Sequence, residues 1–519
     1  MTETLTGTHH SAGPVYQSIL DTDSHPVRDI LRVDSPMPPG PTLVPVERYF
    51  SKEFYDTEID KVWKRVWQMA CHEDDIPDVG DHLVYDIGHL SFLLVRSAPN
   101  EIKAYWNACL HRGRLLREKD GKWAKELRCT FHGWAWNLDG SVKEIPCQWD
   151  FQYDAADPAN VTLPEVKVGR WEGFVFINPD QDCEPLETYL AGLRDHFTLL
   201  PYKDRYKAAH VAKILRCNWK VAQEAFSEAY HVIATHPQIL GGIGDANTKY
   251  DVFGNFSRAI SPQAVPSPHL INIPNYGGVE GAQLYKKLRH PLSGAVYERC
   301  DDGYVHVTTR DGRTGRFDDA GTRIDGEIGM VDANFCDWIG GEQLPGADSA
   351  PLPPWLAGDT TEPAELRKVV GDMERERLRP IIGDCVDQIS DAEAVDSIYL
   401  TVFPNFHPWG SFNRIVYRFR PYGDDPNMCI HECMYFEPVP QGQPRPKAAP
   451  IHWLTADQDW VEAPELGLLA KVFNQDVYNM PHVQAGLKTM KQPYVMFAEY
   501  GETKPRHFHH LLQQWIDKP

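Results

Sequence analysis

The chain changes its hydrophobic rhythm several times, and each change marks a boundary. From about Ser51, residues Ile59, Val62, Trp63, Val66 and Trp67 recur on one face at helical spacing and predict an amphipathic helix. From Gly80 to about Asn178 the pattern shortens to alternating runs such as Leu83-Val84-Tyr85 and Phe92-Leu93-Leu94-Val95, broken by Gly, Asp and Asn. Those runs predict a small all-β module. Helical spacing returns from Asn218 to about Ala234 through Val221, Ala222, Ala225, Phe226, Ala229 and Val232-Ile233, and ends near Pro237. Between about 255 and 390 the sequence is irregular and rich in Pro, Gly and Asp, apart from a helix predicted over 363–388. Arg414 to Arg420 alternates cleanly as a strand, Met428 to Phe436 follows after a turn at Gly423-Asp424, and the C-terminal stretch reads as helical again. Residues 1–45, closed by Pro36, Pro38, Pro39, Pro41 and Pro45, read as an extended arm. The pattern therefore predicts three parts: an extension (1–45), a helix plus an all-β module (46–180), and an α+β domain with an antiparallel sheet (181–519) that holds an irregular insertion around 255–390.

Composition changes this picture little. A chain of 519 residues is too long for one core, and 42% hydrophobic with 24% charged residues is usual for a soluble globular protein. No run of about 18 apolar residues occurs, so no membrane span is expected. The first ten residues lack a basic stretch followed by an apolar one, so no secretory signal is expected. Eleven cysteines, odd in number and without framework spacing, fit a reducing cytoplasm. A net charge of -21 argues against nucleic acid as a partner.

Two short runs inside the all-β module carry candidate chemistry. Cys109-Leu110-His111 and Cys129-Thr130-Phe131-His132 each place one thiol and one imidazole in a loop, with seventeen residues between His111 and Cys129. A Cys-x-His and Cys-x-x-His pair of this kind holds a [2Fe–2S] cluster, with the two Cys on one iron and the two His on the other. Zinc is the competing reading of four such ligands. Structural zinc sites, however, usually put both Cys on one arm and both His on the other. Gly113 and Gly133 follow the two arms and allow tight turns that aim backbone N–H groups at cluster sulfurs.

A second candidate site lies in the 218–237 segment. Glu228 stands three residues before His231, so on a helix the two share a face. His231 and His236 are five apart, roughly 140° around a regular helix, and converge on one ion only if the helix is distorted or ends between them. Two His and one carboxylate form the facial triad of non-haem Fe(II) oxygenases, which leaves positions on iron open for O₂ and substrate.

With both motifs in place, the chain resembles the α subunits of Rieske non-haem iron ring-hydroxylating oxygenases. The likeness runs from about residue 46 onward, is strong at the two motif regions, fair around Thr401-Val402-Phe403-Pro404-Asn405, and weak between 255 and 390. It implies a Rieske [2Fe–2S] domain followed by a helix-grip catalytic domain, similar to START and Bet v 1 domains, with mononuclear Fe(II) under its sheet. An aromatic-x-x-Asp signature of the family is matched by Phe473-Asn474-Gln475-Asp476, which makes Asp476 the implied third iron ligand. Asp457, Asp459, Glu462 and Glu465 read as solvated carboxylates, and His407, His452 and His482 as candidates for the pocket wall or the core.

Glu228 takes the place of a bridging Asp that joins an iron-ligating His of its own subunit, here His231, to a cluster-ligating His of a neighbour, here His132. Glu228 is one methylene longer, and Ala225 replaces an Asn common near the iron; these are the two departures from the family. The resemblance further implies an NAD(P)H-dependent reductase, with or without a ferredoxin, as electron source. It also implies a homotrimer, a multiple of it, or an assembly with a β subunit, and a cytoplasmic role in aromatic hydrocarbon catabolism. Gly241-Gly242-Ile243-Gly244 lacks the strand–helix setting of a dinucleotide loop, so a separate reductase is required. The expected reaction is cis-dihydroxylation or monooxygenation of a hydrophobic ring compound. The alternatives are N- or O-dealkylation, attack on a quaternary amine, or an electron carrier without catalytic iron. The 255–390 stretch reads either as a lid over the iron or as a surface insertion.

Overall fold

The computed structural model describes residues 15–152, 157–270, 279–350, 352–353, 362–410 and 412–519. Its largest element is an eight-stranded sheet ordered Lys249–Phe253, Phe256–Ser261, Ser397–Val402, Phe406–Pro408, Ile415–Pro421, Cys429–Pro438, Arg205–Leu215 and His452–Leu454. All neighbours pair antiparallel except the last two, which run parallel. The two-residue period decides what each face covers. Tyr417, Phe419, Cys433 and Tyr435 turn toward the long helix Leu468–Leu487, meeting Ala470, Phe473 and Met480 in one core. Val416, Met434 and Phe436 turn the other way, toward Met69, Phe174 and Phe176 of a second sheet. A sheet holding a long C-terminal helix against one face is the helix-grip arrangement expected from the sequence.

The second sheet has six antiparallel strands, ordered Gln68–His72, Phe174–Asn178, Glu165–Trp171, Glu101–Trp106, Leu90–Ala98 and His82–Ile87. A small three-stranded sheet of Leu127–Arg128, Ala135–Trp136 and Val142–Glu144 caps it and carries the second Cys/His run. The two large sheets are joined by buried polar contacts as well as by aromatic packing. Asn405 accepts from the Met69 N–H at 3.0 Å and donates to the Tyr85 hydroxyl at 3.0 Å. Arg418 donates across to the Met69 carbonyl at 3.3 Å while it forks onto Glu432 of its own sheet at 2.5 and 2.6 Å, both buried. Among the described residues no helix is long and apolar enough to cross a membrane.

Three segments differ from their reading in the sequence. From residue 15 on, the N-terminal arm is not merely extended; residues 1–14 lie outside the described residues. Short helices Tyr16–Leu20 and Asp29–Arg32 bury Tyr16, Ile19, Leu20 and Leu31 in the core between the two large sheets, and the Tyr16 hydroxyl donates to Asp396 at 2.8 Å. Four spaced apolar residues do this work, and the surrounding Pro and Ser obscured them. Within the stretch around 255–390 the described residues form regular elements; 271–278, 351 and 354–361 lie outside them. Lys287–Arg289, Val296–Arg299, Val305–Thr308, Thr314–Phe317 and Arg323–Gly326 form a five-stranded antiparallel meander, backed by the helix Ala333–Gly340. Strands of three or four residues offer too few inward positions for alternation to register. The helix expected over 363–388 spans Pro363–Ile382 and stops at Gly383, whose φ of +71° a side chain would resist.

Candidate metal centres

The two Cys/His loops are built alike. Cys109 N–H donates to the Arg114 carbonyl at 2.8 Å and Gly113 N–H returns to the Cys109 carbonyl at 2.9 Å. Cys129 N–H donates to the Trp134 carbonyl at 2.8 Å and Gly133 N–H returns to the Cys129 carbonyl at 3.1 Å. Gly113 and Gly133 sit at φ +74° and +81°, the left-handed turn that this closure requires. The closed loops aim backbone N–H groups of His111 and Arg112 at the Cys109 sulfur, and those of Phe131 and His132 at the Cys129 sulfur. Burial pushes the Cys109 thiol up, and the donated N–H bonds oppose it by favouring thiolate.

The rings of His111 and His132 lie 4.5 Å apart, and Trp134 stacks flat on His111 at 5.2 Å and 6°. His111 Nδ1 is buried with no hydrogen-bond partner. Two buried thiols with N–H donors and an orphaned imidazole nitrogen are the donor set a [2Fe–2S] cluster needs. His132 is exposed at the tip of its loop.

The second site assembles where the 218–237 segment fails to stay helical. Asn218 caps the helix Trp219–Ala225 by accepting from Lys220 N–H at 3.1 Å, and the helix gives way at Phe226. A four-residue helix, Val232–Thr235, follows His231 and ends at His236, before Pro237. The break swings both imidazoles to one side, with ring centres 5.2 Å apart. Asp476, from the middle of Leu468–Leu487, completes the group. Its Oδ1 lies 2.9 Å from His236 Nε2 and 3.5 Å from His231 Nε2. His231, His236 and Asp476 each present one ligand atom, all within 4.8 Å of one another.

Other side chains orient these donors. Glu228 Oε1 accepts from His231 Nδ1 at 2.6 Å, and its Oε2 accepts from the His231 N–H at 3.0 Å. Burial alone would lower the His231 pKa, but the charge and hydrogen bond of Glu228 outweigh it and raise it to about 9. The Glu228 carboxylate holds a proton on Nδ1 and turns Nε2 toward Asp476. His236 Nδ1 bonds Gln475 Oε1 at 2.8 Å, and Gln238 Nε2 donates to the same oxygen at 2.7 Å.

A cavity of about 770 Å³ opens onto the triad, its walls formed by side chains such as Phe226, Val232, Ile239, Tyr399, Trp409 and Tyr417. Ala225 lies in its lining. A second chamber, of about 330 Å³, shares Ala225, Glu228, His231 and Asp476 with the first. The ligand position is therefore reached from two sides. Of the remaining candidates, His407 is buried against Thr401 and Gln223, His452 pairs with Glu465, and His482 packs on Tyr478; the triad lies apart from all three. Gln475 and Gln238 escaped the reading of the sequence because an amide carries no charge signal. Only the position of Gln475, directly before Asp476, pointed to it.

Comparison with known proteins identifies the two domains. Residues 66–156 match the family described as Rieske [2Fe-2S] domain, and residues 199–285 and 345–518 match Ring hydroxylating alpha subunit (catalytic domain). The biphenyl dioxygenase α subunit of Paraburkholderia xenovorans (strain LB400) is 32% identical over 210 residues, 38% of this chain and 45% of that one. Choline monooxygenase of Beta vulgaris is 25% identical over 235 residues, 43% of this chain and 52% of that one. The chain thus spans about half the length of the curated relatives it matches. Naphthalene 1,2-dioxygenase from Rhodococcus sp. shares the fold, with a TM-score of 0.53 at 18% identity over 92% of this chain and 95% of that one. A quaternary ammonium Rieske monooxygenase does so with a TM-score of 0.53 at 16% identity, over 92% and 95%. The chain carries a Rieske [2Fe–2S] domain and belongs to the ring-hydroxylating α-subunit family.

Proposed function

We propose that this chain is the terminal oxygenase component of a multi-protein system. It would use O₂, and electrons drawn from NAD(P)H, to hydroxylate a hydrophobic ring compound by cis-dihydroxylation or monooxygenation. One observation carries this reading: the His231–His236–Asp476 group faces a large cavity of mainly apolar side chains, in a chain that also carries a Rieske domain. In this assignment Cys109 and Cys129 hold one iron of the cluster, His111 and His132 the other, and the triad holds the mononuclear iron. When bound, the cluster stores the electron and the mononuclear iron supplies open positions for O₂.

The chain's own residues do the rest. Phe226, Val232 and Tyr417 give the cavity beside the triad apolar walls that suit a ring and disfavour water. Glu228 keeps the His231 proton on Nδ1. Its carboxylate lines both cavities, which suits a bridge between the substrate side and a neighbouring subunit. The exposed His132 suits the matching role on that neighbour. The quaternary ammonium Rieske monooxygenase is itself described with inter-subunit electron transfer. The assembly proposed is a homotrimer, a multiple of it, or a complex with a β subunit, served in the cytoplasm by a reductase with or without a ferredoxin.

A quaternary amine is the second reading. The Tyr399–Trp409 stack, with ring centres 5.3 Å apart beside Tyr417, offers aromatic faces to a cation. Incubating the reconstituted system under ¹⁸O₂ with aromatic, alicyclic and quaternary-amine substrates decides between the two. A labelled diol or alcohol of a ring compound supports the first reading; ¹⁸O in the oxidised carbon fragment of the quaternary amine, trapped by reduction before exchange with water, supports the second. No label in any product, with the cluster reduced and iron bound, would overturn both.

A further inference from the structure

The family match passes directly from residue 285 to residue 345 and leaves out the five-stranded meander and its helix. That omitted segment reaches the metal ligands. Its helix, Ala333–Gly340, is firmly seated. Asp332 caps it by accepting from Phe335 N–H at 2.9 Å, Trp338 Nε1 donates to the Leu284 carbonyl at 2.8 Å, and Phe335, Trp338 and Ile339 are fully buried in the segment's own core. On its other side the helix meets Leu468–Leu487. The fully buried Lys471 Nζ donates to the carbonyls of Asp337 and Glu342 at 2.9 Å each. One turn further on, Gln475 Nε2 donates to the Asn334 carbonyl at 2.9 Å. The Asn334 side chain in turn donates to the Ala234 carbonyl at 3.3 Å, between the two His ligands. A single residue of the insertion therefore touches both segments that supply the triad.

The chemistry of the amides gives this contact a consequence. Gln475 and Gln238 face each other with reciprocal bonds, Gln238 Nε2 to Gln475 Oε1 at 2.7 Å and Gln475 Nε2 to Gln238 Oε1 at 3.2 Å. Two such amides can be turned over together and keep both mutual bonds. A backbone carbonyl only accepts, so Asn334 breaks that symmetry: it holds the Gln475 nitrogen and leaves Oε1 facing His236 Nδ1 at 2.8 Å. An acceptor there keeps the imidazole proton on Nδ1 and leaves Nε2, 2.9 Å from Asp476, bare for a metal. With the amide reversed, its NH₂ would face Nδ1, the proton would move to Nε2, and the ligand position would be blocked.

We propose that the inserted meander is a working part of the metal centre: through the Asn334 carbonyl it orients Gln475, and Gln475 fixes the tautomer of His236. Gln475 and Asn334 are positioning residues. The inference rests on the reading of His231, His236 and Asp476 as a metal site. The test is anaerobic Fe(II) affinity by chelator competition, together with the visible spectrum of the Co(II)-substituted full chain. The EPR signal of the reduced cluster and the melting temperature report the fold.

Gln475→Leu should raise the Fe(II) dissociation constant by ~10–100-fold, the usual cost of losing such a partner, and alter the Co(II) bands. Gln475→Glu keeps an acceptor toward His236 and should stay within about threefold of the parent. Lys471→Met loosens the clamp on the insertion helix. It should weaken binding several-fold in the parent and add nothing beside Gln475→Glu, which no longer needs Asn334 for its orientation. If Lys471→Met does not fold, Asn334→Asp, which sets a negative charge against the Ala234 carbonyl, serves the same comparison. Parent-like binding by Gln475→Leu, equal losses for Leu and Glu, or a Lys471→Met effect that is additive in both backgrounds would overturn the proposal. A parent protein that takes up neither metal at the triad removes the metal reading and this inference together. Metal uptake by the parent with unmoved variants removes the inference alone.

Discussion

The two candidate centres are held by different means. The Cys/His loops are shaped by main chain: two copies of one closed turn, each with a left-handed glycine and N–H groups aimed at sulfur. The triad is shaped by side chains. Glu228 orients one imidazole, Gln475 the other, and the ligands come from a broken helix and a distant one. Main-chain geometry tolerates exchange of most neighbouring side chains. A centre made by side chains is sensitive to each of them, and each becomes a place where the chemistry can be adjusted.

Independence of the two centres is the strongest form of this contrast, and removing ligands tests it. Asp476→Ala should abolish Fe(II) uptake at the triad and all turnover, while the visible and EPR signatures of the reduced cluster stay intact. Cys129→Ala should erase those signatures and leave Fe(II) uptake at the triad. If either change removed both metals, the centres would be one folding unit and the contrast would fail.

A smaller effect is expected where the centres communicate. Glu228→Ala leaves all seven proposed ligands in place, yet removes the acceptor on His231 Nδ1 and the carboxylate shared by both cavities. Turnover should fall by ~100-fold, with the cluster spectrum unchanged and most iron retained. Near-normal turnover would show that Glu228 only orients a ring. Rapid-freeze EPR after mixing with reduced donor gives the sharper reading: the cluster should stay reduced in the presence of substrate and O₂.

This division also explains what the sequence revealed. Cys109 to His132 is contiguous, and its spacing follows from the turn that closes each loop, so it could be read directly. His231 and His236 could be suspected, because the helical pattern ends near Pro237, although the break falls earlier, at Phe226. Asp476 came from resemblance alone, since no local rule selects it among nearby carboxylates. The roles of Gln475, Gln238 and Asn334 were out of reach: what they do depends on which helix lies beside which. The meander escaped for another reason. Its strands are too short to show a period, and its stability comes from a core of Tyr297, Phe317, Phe335 and Trp338 that forms only once the chain is folded.

The smallest expected effect compares carboxylates in the two regions. Beside the cluster loops, the partly exposed Glu126 is held down to about 2 by its hydrogen bonds with Arg128 and Lys143. In the chamber behind the triad, burial raises Glu224 to about 8, against hydrogen bonding from Tyr49 and the charges of Lys220 and Arg48. The signs are opposite. Glu126 favours the fold above the ordinary carboxylate value near 4.5, and that contribution fades as pH falls toward 2. Glu224 binds a proton in the folded chain that the unfolded chain releases near 4.5, so its cost to stability grows as pH rises from 4.5 to 8 and then levels. Glu224→Gln stays neutral throughout. Its melting temperature, followed by circular dichroism, should gain on the parent by a few degrees between pH 5 and pH 8, whereas Glu126→Gln should show a flat difference over that range. An offset for Glu224→Gln that does not change with pH would mean that the chamber is wet enough to keep Glu224 ionised, and the triad would then be open to bulk solvent from behind.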